Sequence, residues 1–451
     1  MMTLDQSKLL PPQREHAIKL LNSIYLNGVA IDLSDTGTGK TYVSCWIAKQ
    51  INNPVFVICP KVVIDSWKNT LKEFGIDGEV INYELLVRGN TQYFQPNNKD
   101  AEYHTDYTVM IPQSSLIIMD ECHKCKGYNS KNSKLMMALK DNRNKMLLLS
   151  ATAATNPLEM RALGYVSKLH NLKNFRNWVL DCGAFVNQFG GLSIDVGQRE
   201  CIDKMSQIHD ILFNEYGVAG RMVRKQFGKY FPDNQVIPDV FNMGTNTAKI
   251  NKVYEEMEYE LDKLEKQSEN YSTHHFAVMM KARRKTELLK VPSMVEYVED
   301  LYDEGISPVL FLNFNDSVLS LKNKINKKLH DKIGMIVGGQ SAKKRKSDIE
   351  QFQSDEKRIM IVNLRAGNAG ISLHDLNGKH PRHSLISPSF SAIDMLQSLG
   401  RIHRAEGKTP CVQKIMFAAN TIEESACIRV RAKLNNLSVL NDNDLSPISI
   451  Y

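Results

Sequence analysis

No apolar run in this 451-residue chain is much longer than a β-strand. Stretches such as Phe56–Cys59 and Met146–Leu149 fall far short of the roughly 20 residues that cross a bilayer, so no membrane segment is expected. Paired cysteines are also lacking: of eight, only Cys122 and Cys125 lie close together. That argues against a secreted disulfide framework and for a reducing compartment. The opening MMTLDQSKLL has no basic stretch followed by an apolar one, so no export signal is expected and a cytoplasmic location is. Charge of one sign is scarce too. Lys and Arg number 57 against 50 Asp and Glu, a net +7, which permits an anionic partner such as nucleic acid without demanding one. No internal repeat and no low-complexity linker is visible.

What remains is ordinary globular material, 42% hydrophobic and 24% charged, which excludes a mainly disordered chain. The length suggests about three domains or two large ones, enough to bury cores without disulfide or metal staples. Short apolar runs alternate with helical stretches. Val55–Cys59, Leu116–Met119 and Met146–Leu149 read as buried strands in the first half, and Val309–Leu312, Ile359–Val362 and Lys414–Phe417 in the second. Continuous apolar strands between helices predict parallel sheets covered on both faces, here in two α/β lobes. From about residue 157 to 300 the strand signal fades. Lys252–Lys266 and His275–Leu289 read as helices there, and Phe231–Asp239 (FPDNQVIPD), with two prolines, reads as the passage between lobes.

The segment VAIDLSDTGTGKT (Val29–Thr41) is the most informative. An apolar strand enters a loop with Gly37 and Gly39, followed by Lys40, Thr41 and a helical stretch. Glycines let backbone N–H groups approach phosphate oxygens, and the helix N-terminus adds its positive end. Lys40 would reach the β- and γ-phosphates of ATP and Thr41 would bind Mg²⁺. The general pattern expects glycine at position 34, where this chain has Ser34. Leu116–Glu121 (LIIMDE) supplies a strand ending in two acids, with Asp120 for the metal and Glu121 to orient and deprotonate water. Cys122 and Cys125 invite a zinc reading, but no second such pair exists, so no structural zinc is expected.

DTGTGKT, DECH (Asp120–His123) and SAT (Ser150–Thr152) together resemble motifs I, II and III of superfamily 2 helicases and translocases. LRAGNAGISL (Leu364–Leu373) resembles motif V and QSLGRIHR (Gln397–Arg404) motif VI. PPQR (Pro11–Arg14), VICPKVVIDSWKNTLKEF (Val57–Phe74), NYE (Asn82–Glu84) and TIEE (Thr421–Glu424) are similar to the Snf2-type branch and to the related phage branch-migration helicases. The resemblance implies two RecA-like lobes with helical insertions between them. The first would span about 1–235, with a helical extension from about 157. The second would span about 236–435, with a helical protrusion to about 300, followed by a tail, 436–451.

It also implies roles. Gln13 would read the adenine edge; Thr36, Gly37, Thr38, Gly39, Lys40 and Thr41, with Gly370, would bind nucleotide; Thr41 and Asp120 would hold Mg²⁺. Glu121 would serve water, Gln397 would sense the γ-phosphate, and Arg401 and Arg404 would be arginine fingers. His123, Ser150 and Thr152 would couple nucleotide state to DNA grip. Lys61, Trp67, Asn82 and Arg365 would contact DNA. The departures are Asn363 and Leu364 where Snf2-type motif V usually has Ser-Thr, Ser372 for a later asparagine, and Phe390 for a tryptophan.

Further basic candidates for phosphate contact are Arg221, Arg224 and Lys225, the run Lys281–Lys285, and Lys343–Lys346 (KKRK). Three functions follow as expectations: a translocase on branched DNA in replication, recombination or repair; a Snf2-like duplex motor that displaces bound protein or ends transcription; or a nucleotide-dependent switch. Small size favours the first. The host cytoplasm is the expected place if the source is a virus, and the oligomeric state stays open.

Overall fold

The computed structural model describes residues 8–88, 91–96, 107–151, 153–187, 190–195, 199–265, 271–367, 371–389, 392–405, 407–421 and 423. The chain divides into two compact units, with Gly228 closing the first and Lys229 opening the second. Strands are numbered β1 to β16 along the chain.

In the first unit a six-stranded sheet is parallel throughout. It is built from β1 (Val29–Asp32), β2 (Val55–Cys59), β3 (Gly78–Asn82), β6 (Leu116–Asp120), β7 (Lys145–Leu149) and β10 (Ala219–Gly220), in the order β10-β1-β7-β6-β2-β3. Every residue of β1 and β2 is buried, as unbroken apolar strands require when helices cover both faces. Burying each such Val, Ile or Leu contributes about 1.5–3 kcal/mol. The covering helix Pro11–Asn27 begins with a proline that needs no N–H there. It ends at Gly28, whose φ of 75° lets its N–H turn back to the Ile24 carbonyl before β1 starts. Two antiparallel hairpins lie outside the sheet, β4 (Phe94–Pro96) with β5 (Tyr107–Val109) and β8 (Phe185–Val186) with β9 (Leu192–Ser193).

The second unit repeats the scheme. Its parallel sheet runs β11-β16-β15-β12-β14-β13, from β11 (Asn234–Phe241), β12 (Ser307–Leu312), β13 (Ile333–Ile336), β14 (Ile359–Asn363), β15 (Arg382–Ile386) and β16 (Cys411–Ala418). The central strands β12 and β14 are buried at every position. Two long helices, Asn246–Glu265 and Tyr271–Asp303, occupy the region where helices were expected.

One expectation is overturned. Phe231–Asp239, read as a linker, contributes most of an edge strand, with Asn234 opposite Cys411 and Pro238 opposite Ile415. An edge strand tolerates proline because one side of its backbone needs no ladder partner. Pro238 marks an edge and not a break, while Pro232 lies just before the strand. The short β10 was also invisible, since two residues carry no periodicity.

Candidate active site

β1 delivers the chain at Asp32 into a tight loop, and the helix Lys40–Ile51 starts directly behind it. Gly37 and Gly39 have φ of 84° and 85°, backbone that a Cβ penalises. At Gly39 a Cβ would also stand 2.3 Å from the Gln13 amide nitrogen. Lys40 folds back on the loop, its ammonium donating to the Ser34 carbonyl at 2.7 Å and the Asp35 carbonyl at 3.1 Å. A helix N-terminus, an ammonium and the neighbouring Thr41 hydroxyl are thereby gathered at one anion-attracting place.

Gln13 is buried against this loop. Its amide nitrogen donates to the Thr38 carbonyl and its amide oxygen accepts from the Leu10 N–H, both at 2.8 Å. Ser34, the departure from glycine, is fully buried. Its N–H donates to Asp32 Oδ1 at 2.9 Å, and its Oγ accepts from the Met222 N–H at 2.8 Å. His16 Nε2 lies 3.2 Å from Ser34 Oγ and 3.1 Å from Asp32 Oδ1. Burial alone would raise the Asp32 carboxyl; His16 outweighs it, with help from Lys40 and Ser34, and holds the group below the usual range.

The acidic half of the site ends β6. Burial and the neighbouring Glu121 charge push the Asp120 carboxyl up to about 6, opposed by the Trp67 indole and Lys40. A buried carboxyl held that high gains from a nearby cation, and hard oxygen donors on Asp120 and Thr41 suit Mg²⁺ completed by nucleotide and water. Among the described residues no cluster of three or more His, Cys, Asp or Glu could hold a metal alone. Glu121 follows with φ 55°, a left-handed backbone costing a non-glycine residue about 1–2 kcal/mol. His123 Nδ1 lies 3.2 Å from Glu121 Oε2 and 3.1 Å from Ser150 Oγ, so one imidazole joins DECH to SAT. Thr152 and Gly370 lie outside the described residues, as does Phe390.

Trp67, expected at the nucleic-acid surface, is only 1% exposed, and its indole N–H donates to Asp120 Oδ2 at 2.9 Å. A large buried ring with one polar atom needs a partner, and the carboxylate provides it. Arg221 and Arg224 are corrected likewise. Arg221 Nη2 donates to Asp35 Oδ1 at 2.7 Å, and Arg224 Nη2 to Thr36 Oγ1 at 2.5 Å. Both serve the phosphate loop. Asn82 accepts the Leu85 N–H at 2.8 Å and so caps the short helix Tyr83–Val87. Lys61 is exposed just past the C-terminal end of β2.

In the second unit Gln397 and Arg401 are each 3% exposed. Arg404 Nη2 donates to the Ile371 carbonyl at 2.9 Å, and the Leu373 N–H to the Arg401 carbonyl at 2.9 Å. Motif VI is thus folded onto the end of motif V. Asn363, the departure in motif V, accepts the Ala366 N–H and donates to the Asn313 carbonyl, both at 3.2 Å. A cap explains asparagine there. Arg365 is exposed past β14. The run Lys281–Lys285 is largely spoken for: Lys281 pairs with Glu260 at 3.2 Å, Lys285 with Glu256 at 3.6 Å and Arg284 with Asp316. In KKRK, Lys344 pairs with Asp348, Lys346 with Glu350, and Arg345 donates to the Ala366 carbonyl. Only Lys344–Asp348 and Lys346–Glu350 lie within one helix; the other partners come from separate elements, which a reading by runs does not register.

The model of the type III restriction enzyme res subunit matches residues 6–155, and that of the helicase conserved C-terminal domain matches residues 293–406. A protein of Acanthamoeba polyphaga mimivirus, named for an ATP-dependent RNA helicase (L364), is 30% identical across 97% of this chain and 84% of its own length. The chain belongs to the superfamily 2 helicases. As such it is an ATP-hydrolysing enzyme with two parallel-sheet, RecA-like lobes. A shorter match, 24% identical over 34% of this chain and 24% of the relative, is to Protein CHROMATIN REMODELING 19 of Arabidopsis thaliana. The Sulfolobus solfataricus SWI2/SNF2 ATPase core in complex with dsDNA aligns over 97% of this chain and 96% of that one, at 16% identity and TM-score 0.39. Among the described residues no helix of this helicase is long and apolar enough to cross a membrane.

Proposed function

We propose that this helicase is a DNA motor that spends ATP to move along DNA and remodel branched structures such as forks and junctions. Lys40 and the loop Thr36–Gly39 hold the phosphates, with Gln13 fixing the loop beside the base. Thr41 and Asp120 would hold Mg²⁺, which supplies neutralisation of developing phosphate charge. Glu121 orients and deprotonates the attacking water, and its ties through His123 to Ser150 let nucleotide state reach the DNA-gripping surface. Gln397, Arg401 and Arg404 belong to the same cycle from the second lobe. One observation supports the motor reading most. Each lobe leaves a solvent-facing cation beyond the C-terminal end of a central strand, Lys61 on the first and Arg365 on the second, where α/β sheets bind ligands. A switch needs only one such grip; a motor needs two.

Two relatives favour specific alternatives by name, RNA unwinding for the mimivirus protein and chromatin work for the plant one. ATP turnover and strand displacement are therefore measured on single strands, blunt duplexes, forks and four-way junctions of DNA, and on matched RNA. Stimulation and displacement on branched DNA are expected. Equal stimulation by blunt duplex without displacement would replace junction remodelling with duplex tracking. Response to RNA alone would refute the DNA assignment, and no response to any of them would leave an assembly switch.

A further inference from the structure

The parallel ladder between β1 and β10 does not stop where the strands do. Asp32 stands opposite Gly220 at the last ladder position. Beyond it the Leu33 N–H donates to the Gly220 carbonyl at 2.8 Å and the Asp35 N–H to the Met222 carbonyl at 3.0 Å. In return the Met222 N–H donates to Ser34 Oγ at 2.8 Å and the Arg224 N–H to Asp35 Oδ2 at 3.1 Å. Side chains complete the seam. The Arg221 guanidinium reaches Asp35 Oδ1 at 2.7 Å, and that of Arg224 grips both the Thr36 carbonyl, at 3.2 Å, and its hydroxyl, at 2.5 Å. Residues 34–36 are the first half of the phosphate loop, and Ser34 and Asp35 are the residues whose carbonyls hold the Lys40 ammonium.

The charge balance suits a strong contact. Burial by itself would raise the Asp35 carboxyl, but Arg221 and Arg224 together hold it below its usual range. Pairs of this kind, hydrogen-bonded and charged, contribute more than neutral bonds. The position along the chain matters as much. Arg224 lies four residues before Gly228, whose φ of 47° and ψ of −118° suit glycine alone, and the run of the first unit from Met1 ends at that residue.

We propose that Arg221 and Arg224 are positioning residues of the phosphate loop, which latch it to the chain leaving the first lobe and so transmit nucleotide occupancy to that exit segment. The inference rests on the ATP-site reading of the loop. A phosphate that draws the Lys40 ammonium away from the Ser34 and Asp35 carbonyls must change the same three residues that the exit segment holds. Fixing the loop in advance lowers the ordering cost of binding nucleotide. The latch therefore acts first on ATP affinity and only secondarily on the chemical step.

The test uses full-length Asp35→Asn, Arg221→Gln, Arg224→Gln and the double variant Asp35→Asn/Arg221→Gln, with Arg224→Lys as the conservative control. KM for ATP, kcat and thermal unfolding are measured for each. Each single loss is expected to raise KM about fivefold or more with kcat within about threefold, and the double variant to be no worse than the poorer single. Arg224→Lys, which keeps the charge but donates from a single nitrogen, should recover most of the KM. Hydrogen exchange of the Met222 and Arg224 amides reads the latch directly: Mg·ADP should slow both in the native protein and leave them unchanged in Asp35→Asn. Unaltered KM with a lowered unfolding temperature would reduce these arginines to structural supports and overturn the proposal. So would additive losses, or an exchange response surviving in Asp35→Asn. Lys40→Ala run alongside separates the two levels, since turnover surviving in that variant would sink the ATP-site reading itself.

Discussion

The Trp67 indole donates to Asp120 while Lys40 acts on the same carboxyl only through its charge, and their variants should separate cleanly. Lys40→Ala removes the ammonium meant for phosphate and is expected to abolish turnover while DNA affinity stays within about twofold. Trp67→Phe keeps a buried ring but loses the 2.9 Å bond to Asp120. Hydrogen bonds to charged groups are worth about 1.5–3 kcal/mol. Turnover should fall roughly tenfold in this variant, again with unchanged DNA binding. A loss of DNA affinity on Trp67→Phe would restore this residue to the nucleic-acid surface. Filter binding and single-turnover hydrolysis check both. The two candidate motifs, DTGTGKT and DECH, were legible in the sequence because phosphate chemistry constrains spacing within a few residues of one loop or strand end, and the structure sets them at the ends of β1 and β6. The partner of Trp67, 53 positions away, was not, since nothing local in VVIDSWKNTL records which strand end its indole will meet.

Among elements, the helix Tyr271–Asp303 sets Lys281 and Lys285 against Glu260 and Glu256 of the helix Asn246–Glu265. Removing Lys281 and Lys285 together should therefore change DNA affinity less than about twofold, because exposed pairs already neutralised add little to phosphate binding. Lys61→Ala and Arg365→Ala, beyond β2 and β14, should each weaken binding several-fold. Each should also lower the salt dependence of affinity by about one counterion. Titrations at several salt concentrations distinguish the two sets, and a large effect at Lys281 and Lys285 would move the DNA track to this helix pair. In the first sheet β1, β2, β6 and β7 were readable, and in the second β12, β14 and part of β16, because continuous burial on two faces needs unbroken apolar runs; β3, β10, β13 and β15 are too short or too mixed to give that signal. β11 was not readable either, because an edge strand is freed from that demand and may include prolines. The partners of Arg221 and Arg224 escaped the sequence for a related reason: a cation looks the same there whether it faces phosphate, solvent or the aspartate of a loop.

For the molecule as a whole, stability should depend on pH through His374. Burial, reinforced by Arg404 and Arg382, pushes this imidazole down to about 4 from its ordinary 6.5. The unfolded chain takes up the proton first, so stability from this group is complete above about pH 6.5 and is lost as pH falls toward 4. The slope is at most about 1.4 kcal/mol per pH unit. Denaturant unfolding of His374→Gln, followed by circular dichroism between pH 5 and 7, is expected to show a shallower pH dependence than the native protein; an identical slope would refute this account. The order of the second sheet has a consequence for biosynthesis. Among the described strands of its lobe β11 is the first to be made, yet it pairs only with β16, the last of them. A nascent chain must therefore carry an unsatisfied strand while the intervening residues are translated. Pro238 in its middle removes one backbone donor and so spoils that strand as a template for a neighbouring chain. The residue that disguised β11 as a linker is well placed to keep the growing polypeptide from aggregating before Cys411–Ala418 arrives.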